Sequence, residues 1–396
     1  MPGVISRSTV LFLSLALLAF SGPPARQNPP HSDLAAHEWG TFTSVAGRTG
    51  ECIQWLPRSG LDDLPKFVEH FRTGDVKRAL RGTVRMETPV IYFYSPAETT
   101  VSVKVGFSKG VITEWYPHAS RVEPDPQKIL DESALLHHGS DGAVEWKSVA
   151  IEPGLAASFP RDGTDARYYA ARRTSAAPLV VGTGAAAQQE KFLFYRGVAA
   201  FPVPVVARPT PDGKVLVRNL SEDEIPGVIL FERRGDKLGY RLGGTLSGGQ
   251  QELSLETPEL TSTMESVSHE LEGLLTTQGL YPDEARAMLE TWRSSWFEEG
   301  SRLIYIVPRH FVDGMLPLSI KPTPSQIVRV FVGRVELITP ATEHVVEQAL
   351  ASGDRHAITV TYARFLEPIM EQMTAEHPER AKELGDDLSA IYTNSR

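Results

Sequence analysis

VSVKVGF, residues 101–107, sets Val101, Val103, Val105 and Phe107 in alternation with Ser102, Lys104 and Gly106. Successive side chains of a strand point to opposite faces, so this run puts one face in a core and the other in water. Outward from it the same character recurs. TVRMETPVIYFYS and VITEWY flank it, and AVEWKSVAI, KFLFYRGV, KVLVRNL, PGVILFERR and LGYRLGG follow. Each run is short, rich in β-branched and aromatic residues, and bounded by Gly, Pro, Asp or Ser. Many short strands at close spacing predict an antiparallel sandwich from His37 to Thr257. The RRGDK turn, residues 233–237, joins two of them, with Gly235 and Asp236 tolerating positive φ. Arg234, Gly235 and Asp236 also spell an adhesion tripeptide, which the turn accounts for by itself.

Near Thr257 the apolar period changes from two to about 3.6. Thr257 is placed to cap a helix with Pro258 in its first turn, and Leu260, Met264, Val267, Leu271, Leu274 and Leu275 form one stripe. A second helix is expected from Pro282, with Ala285, Met288, Leu289, Trp292 and Trp296 on one side, packed antiparallel to the first. Strand character returns in RLIYIVP and QIVRVFVGRVELIT. These two runs pair with each other or complete a sheet of the N-terminal body. The tail predicts helices over 340–350, 356–373 and 378–392, the middle one kinked or split by Pro368. The fold class expected is α+β: an antiparallel β-sandwich-like body over 37–257, then a helix-rich part over 258–396 with strands near 303–307 and 327–338.

The start of the chain points to export. Arg7 precedes the apolar run VLFLSLALLAF, residues 10–20, which is too short to span a bilayer as a helix. Residues 1–21 therefore read as a signal peptide cut after Ser21, and the Pro-rich residues 22–36 as a flexible linker. A secreted or periplasmic protein with no membrane span is the expectation. The length of 396 residues suggests about two domains, and a formal charge of -9 offers no field for phosphates, so nucleic acid is not an expected partner. The single cysteine, Cys52, allows no intrachain disulfide.

Catalytic signatures are sparse. His37-Glu38 and His269-Glu270 each lack the second His one helical turn on that a zincin needs. There is no G-x-S-x-G elbow and no P-loop. Gly182, Gly184 and Ala187 match a dinucleotide fingerprint, yet strand-like KFLFY at Lys191 leaves no room for the crossover helix, so no cofactor is assigned.

Three constellations remain. Glu114 and His118 on one face of an extended run, with the loop pair His137 and His138, compose a candidate metal set. Arg309, His310 and Asp313 compose a candidate catalytic set, in which Asp313 orients the imidazole and Arg309 holds an anion. His37 and Glu38 stand at the start of the folded body beside Trp39. They are neighbours on a strand, so only one of them can face any given site.

HEWGTFTSVAG, METPVIYFYS, TEWYP and TWRSSWFEEGSRLIYIVPRHFVDGMLPL through RVFVGRVELITP resemble an uncharacterised group of exported bacterial proteins, over most of the chain beyond the signal peptide. The resemblance implies a shared fold and export, and no activity. The leading expectation is a binding or scaffold protein at the envelope, its partner an envelope component or a glycan. The alternative is an extracytoplasmic hydrolase, metal-assisted through Glu114, His118, His137 and His138, or using His310 with Asp313.

Overall fold

A computed structural model describes residues 33–57, 64–71, 80–126, 141–249 and 251–394. The expected signal peptide, most of the linker, and the metal candidates His137 and His138 lie outside the described residues.

Nine strands make the main sheet: β1 (Ala35–Ala46), β2 (Glu69–His70), β3 (Val84–Tyr94), β5 (Gly110–Tyr116), β10 (Leu193–Ala199), β13 (Ile225–Arg234), β14 (Lys237–Leu246), β16 (Gly300–Ile306) and β18 (Gln326–Leu337). Their order across the sheet is β14-β13-β16-β18-β1-β3-β10-β5-β2. A second sheet holds β4 (Thr99–Phe107), β6 (Arg121–Glu123), β7 (Gly142–Ile151), β8 (Leu179–Val181), β9 (Gln188–Glu190) and β17 (Leu318–Lys321). A third holds β11 (Val205–Pro209), β12 (Lys214–Asn219) and β15 (Glu252–Glu256). Among the described residues every strand pair is antiparallel except β1 with β18, which run parallel from Ala35↔Gln326 to Ala46↔Leu337.

The antiparallel-rich, mixed α+β class follows the strand and helix periods of the sequence. The first strand starts at Ala35, inside the stretch expected to be linker, and both Ala35 and Ala36 are buried. Residues from both sides of Thr257 share the main sheet, because β16 and β18 lie between β13 and β1. RLIYIVP and the β18 run thus pair with each other and also complete the sheet of the N-terminal body. Gly333 in β18 is required by close approach: a Cβ there would sit 2.1 Å from the Tyr305 ring of β16.

One face of the main sheet packs against the two smaller sheets. Phe42, Met86, Leu303, Tyr305, Phe331 and Val335 join Val101, Val103, Val105 and Phe107 of the deciding run in that layer. The alternate residues Trp39, Tyr92, Ile304, Val330 and Val332 join the helices on the opposite face. Helices α1 (Met264–Thr277) and α2 (Pro282–Trp296) cover this face at one end of the strands. At the other end, Val45, Trp55 and Ile338 pack under the tail, which contains α4 (Pro340–Ser352), α5 (Arg355–Tyr362), α6 (Leu366–Glu376) and α7 (Ala381–Asn394). Between β16 and β17 runs a short helix, α3 (Arg309–Met315).

Two helix boundaries differ from the sequence expectation. Helix α1 begins after Thr263, whose hydroxyl accepts the Ser266 N–H at 3.1 Å, and not after Thr257. The intervening chain is drawn onto β14: the Ser262 N–H donates to Leu238 O at 3.0 Å, and Glu259 O passes so close that a Cβ on Gly239 would meet it at 2.2 Å. A tertiary bridge outweighs the local cap. In the tail the break falls at the 3-10 turn Ala363–Phe365, which leaves Pro368 in the first turn of α6, where its missing N–H costs nothing.

Trp292 and Trp296 are both fully buried and stack with ring centroids 6.1 Å apart and planes inclined by 7°. The Arg167 guanidinium lies over the Trp292 ring at 4.6 Å. Their place is packing between helix and sheet, as spacing by one helical turn implies.

Candidate functional site

His37 and Glu38 point to opposite faces of β1. His37 Nδ1 donates to Glu284 Oε2 of α2 at 2.9 Å, and the same carboxylate accepts the Tyr281 N–H at 2.7 Å and the Tyr94 hydroxyl at 2.8 Å. His37 and Glu284 are fully buried. Burial and the Glu284 charge hold the Tyr94 phenol far above its ordinary range. This knot of polar groups pins α2 to the sheet.

Glu38 faces the other side and begins a chain of alternating charge that runs from the core to the surface. Tyr195 donates its hydroxyl to Glu38 Oε1 at 2.5 Å, and the Arg329 Nε of β18 pairs with Glu38 Oε2. Arg329 Nη1 reaches Asp313 Oδ1 at 2.7 Å, and Arg309 Nε reaches Asp313 Oδ2 at 2.8 Å. The Glu38 and Arg329 side chains are each 1% exposed, whereas those of Asp313 and Arg309 are 44% and 45% exposed. Burial works against the charge on Arg329, but Glu38 and then Asp313 hold its guanidinium pKa above the usual value. Burial, followed by the Glu38 charge, raises the Tyr195 phenol well above its ordinary range.

The surface end of this chain opens into a cleft of about 680 Å³, within the usual range of ligand sites. Its walls are Asp223, Glu224 and Pro226 ahead of and entering β13, Gln278 after α1, Ile306 to His310 with Asp313, and Ile327 to Val330 of β18. The candidate catalytic set Arg309, His310 and Asp313 therefore lines one cleft. Its internal pairing differs from the one expected from spacing. His310 Nδ1 lies 3.4 Å from Asp223 Oδ2, while Asp313 is taken by the two guanidiniums. Two permanent positive charges outcompete an imidazole for one carboxylate. The His310 side chain is 88% exposed, so the imidazole and Asp223 form a solvent-facing dyad on the rim. Among the described residues lining the cleft none is Ser, Thr, Cys or Lys.

Of the metal candidates, Glu114 and His118 are among the described residues, and their surroundings differ. Strand β5 ends at Tyr116, so the alternation that set Glu114 and His118 on one face does not reach His118. Glu114 is buried and accepts the Thr113 hydroxyl at 2.6 Å, opposite Arg196 in the sheet. His118 is exposed, with Nδ1 2.8 Å from Glu69 Oε1. Among the described residues no cluster of three or more His, Cys, Asp or Glu side chains is arranged to hold a metal ion. Cys52 is half-buried and its thiol donates to Thr83 O at 3.1 Å; burial pushes its pKa up to about 12, the opposite of an activated nucleophile.

Arg329, Asp223 and Tyr195 belong to the site and escape a motif search. Arg329 carried a signal nonetheless: a charged residue inside the apolar run QIVRVFV of a buried strand demands a buried partner. Nothing in sequence position links it to Glu38, 291 residues away.

No family model matches the chain, and no curated protein matches it. Solved structures that match include the yeast δ-COP-I μ-homology domain complexed with a Dsl1 WxWxV peptide, at 9% identity and a TM-score of 0.30, covering 78% of this chain and 98% of that one. The same yeast domain without the peptide matches at 8% identity and a TM-score of 0.29, with the same coverage. No helix among the described residues is long and apolar enough to cross a membrane.

Proposed function

We propose that this chain is a binding protein that works outside the cytoplasm, and that the cleft bounded by β13, β18 and α3 holds its ligand, a component of the cell envelope. The carrying observation is the build of the cleft: an open space of about 680 Å³ whose charged wall is fixed to the core through Asp313, Arg329, Glu38 and Tyr195. A site fixed by buried partners presents its groups in one geometry, which lowers the ordering cost of binding. The test is retention of envelope components by the immobilised chain, compared with Glu224→Trp, which fills the cleft mouth. Retention that disappears with the substitution supports the reading; equal retention refutes it. Export is tested by intact mass of natively produced protein, which should lack residues 1–21.

The His310–Asp223 pair favours a second reading, an extracytoplasmic hydrolase in which His310 activates water. In that case His310→Ala abolishes the hydrolysis while leaving the melting temperature unchanged. Near-stoichiometric zinc in the purified protein would favour its metal-assisted form.

A further inference from the structure

The cleft is the place where a strand is missing. Strand β16 lies between β13 and β18 and stops at Ile306, paired with Val332. One more ladder bond follows, the Val307 N–H to Phe331 O at 2.8 Å, and then the chain turns away through Pro308 into α3. Strand β18 continues in the opposite direction for five more residues, from Val330 back to Gln326, and among the described residues this stretch pairs only with β1, on its far side. Hydrogen-bonding groups alternate between the two edges of a strand. Because Phe331 bonds toward β16, Arg329 and Ile327 direct their backbone groups into the cleft. Independent support for this direction is that Ile327 O accepts Arg309 Nη1 at 3.1 Å from inside the cleft.

The charge of the site selects the guest. Arg309 and Arg329 stand against four carboxylates, Asp223, Glu224, Asp313 and the buried Glu38. Glu38 and Asp313 are already engaged by the two guanidiniums. Asp223 and Glu224 remain on the rim, and His310 can add at most one positive charge.

We infer that the cleft captures an extended, basic polypeptide segment, which continues the line of β16, pairs its backbone with Arg329 and Ile327 of β18, and sets a cationic side chain between Asp223 and Glu224. This is strand addition to an exposed edge, with main-chain bonds supplying affinity and a charged rim supplying selectivity. Arg309, half-exposed, donates to Ile327 O and so guards the edge against indiscriminate pairing. Full pairing requires the guanidinium to swing aside while Arg329 keeps Asp313. The inference rests on the cleft being the binding site and names its ligand class.

The test uses the full chain and a fluorescein-labelled heptapeptide of alternating Lys and Val, followed by fluorescence anisotropy. The comparisons are a Glu-Val peptide, the Lys-Val peptide N-methylated at alternate amides in both registers, and the Asp223→Asn/Glu224→Gln double variant. The Lys-Val peptide should bind, the Glu-Val peptide should not, and N-methylation in one register and the double variant should each weaken binding by about tenfold or more. Indifference to N-methylation or to the double variant overturns strand addition. Absence of peptide binding, with a glycan retained in a Glu224→Trp-sensitive manner, overturns it while leaving the cleft as the binding site. Peptide binding that persists undiminished in Glu224→Trp overturns both.

Discussion

Replacing Arg329 by Met removes the middle of the charge chain, and the two ends respond very differently. At the outer end Asp313 is 44% exposed and keeps Arg309, so the lost contact there is worth no more than ~1 kcal/mol. At the inner end Glu38 is 1% exposed and is left with the Tyr195 hydroxyl as its hydrogen-bond donor. An uncompensated buried charge costs about 3–5 kcal/mol, so the inner end dominates. Arg329→Met should therefore destabilise by about 3–5 kcal/mol in urea unfolding, or roughly 6–10 °C at about 2 °C per kcal/mol. Asp313→Asn should cost less than ~1 kcal/mol. Glu38→Met combined with Arg329→Met removes both charges and should recover at least ~2 kcal/mol relative to Arg329→Met alone. Arg329→Met costing under ~1 kcal/mol, or Asp313→Asn costing as much as Arg329→Met, would refute the assignment of the buried end as the dominant one.

His310 is almost fully exposed, so His310→Ala should change the unfolding free energy by less than ~0.5 kcal/mol, measured in the same urea assay. Trp296→Ala opens the helix–sheet layer beside Trp292 and should cost about 3–5 kcal/mol. Burial opposes the charge of Glu298, but Arg334, Arg364 and Arg302 overcome it and hold the carboxyl below its ordinary 4.5. A depressed carboxylate contributes fully above that value and loses its contribution as pH falls through the lower folded pKa. The melting midpoint should therefore fall on acidification below about pH 4.5, and Glu298→Gln should flatten that fall. Cys52, with its thiol pushed up to about 12, should resist iodoacetamide at pH 8 in the native protein and react readily in urea.

The local periods of the chain carried much of the fold. Alternation in 101–107 identified a strand with one face in the core, Pro282 marked the start of α2, and the Gly235-Asp236 turn marked the β13–β14 hairpin. These are short-range consequences of backbone geometry, so sequence displays them. The parallel pairing of β1 with β18 is a contact between distant segments, and no local pattern encodes it. The same division applies to the site. Arg309, His310 and Asp313 lie within one short helix and were visible together, but the identity of their partners was not. Which carboxylate His310 meets depends on the approach of Asp223 from the loop before β13. Which cation Asp313 prefers depends on Arg329 arriving from β18.

The parallel neighbour of β1 has a bearing on when the sheet can close. Trp39 sits beside Val330, so the middle of the main sheet stays unfinished until almost the whole chain has emerged from the ribosome. A sheet closed by so distant a contact forms late, since a long loop must be ordered before the contact rewards it. Until β18 is made, the strands ahead of it have no partner along this edge of β1, and the order of synthesis alone fixes which seam of the sheet closes last.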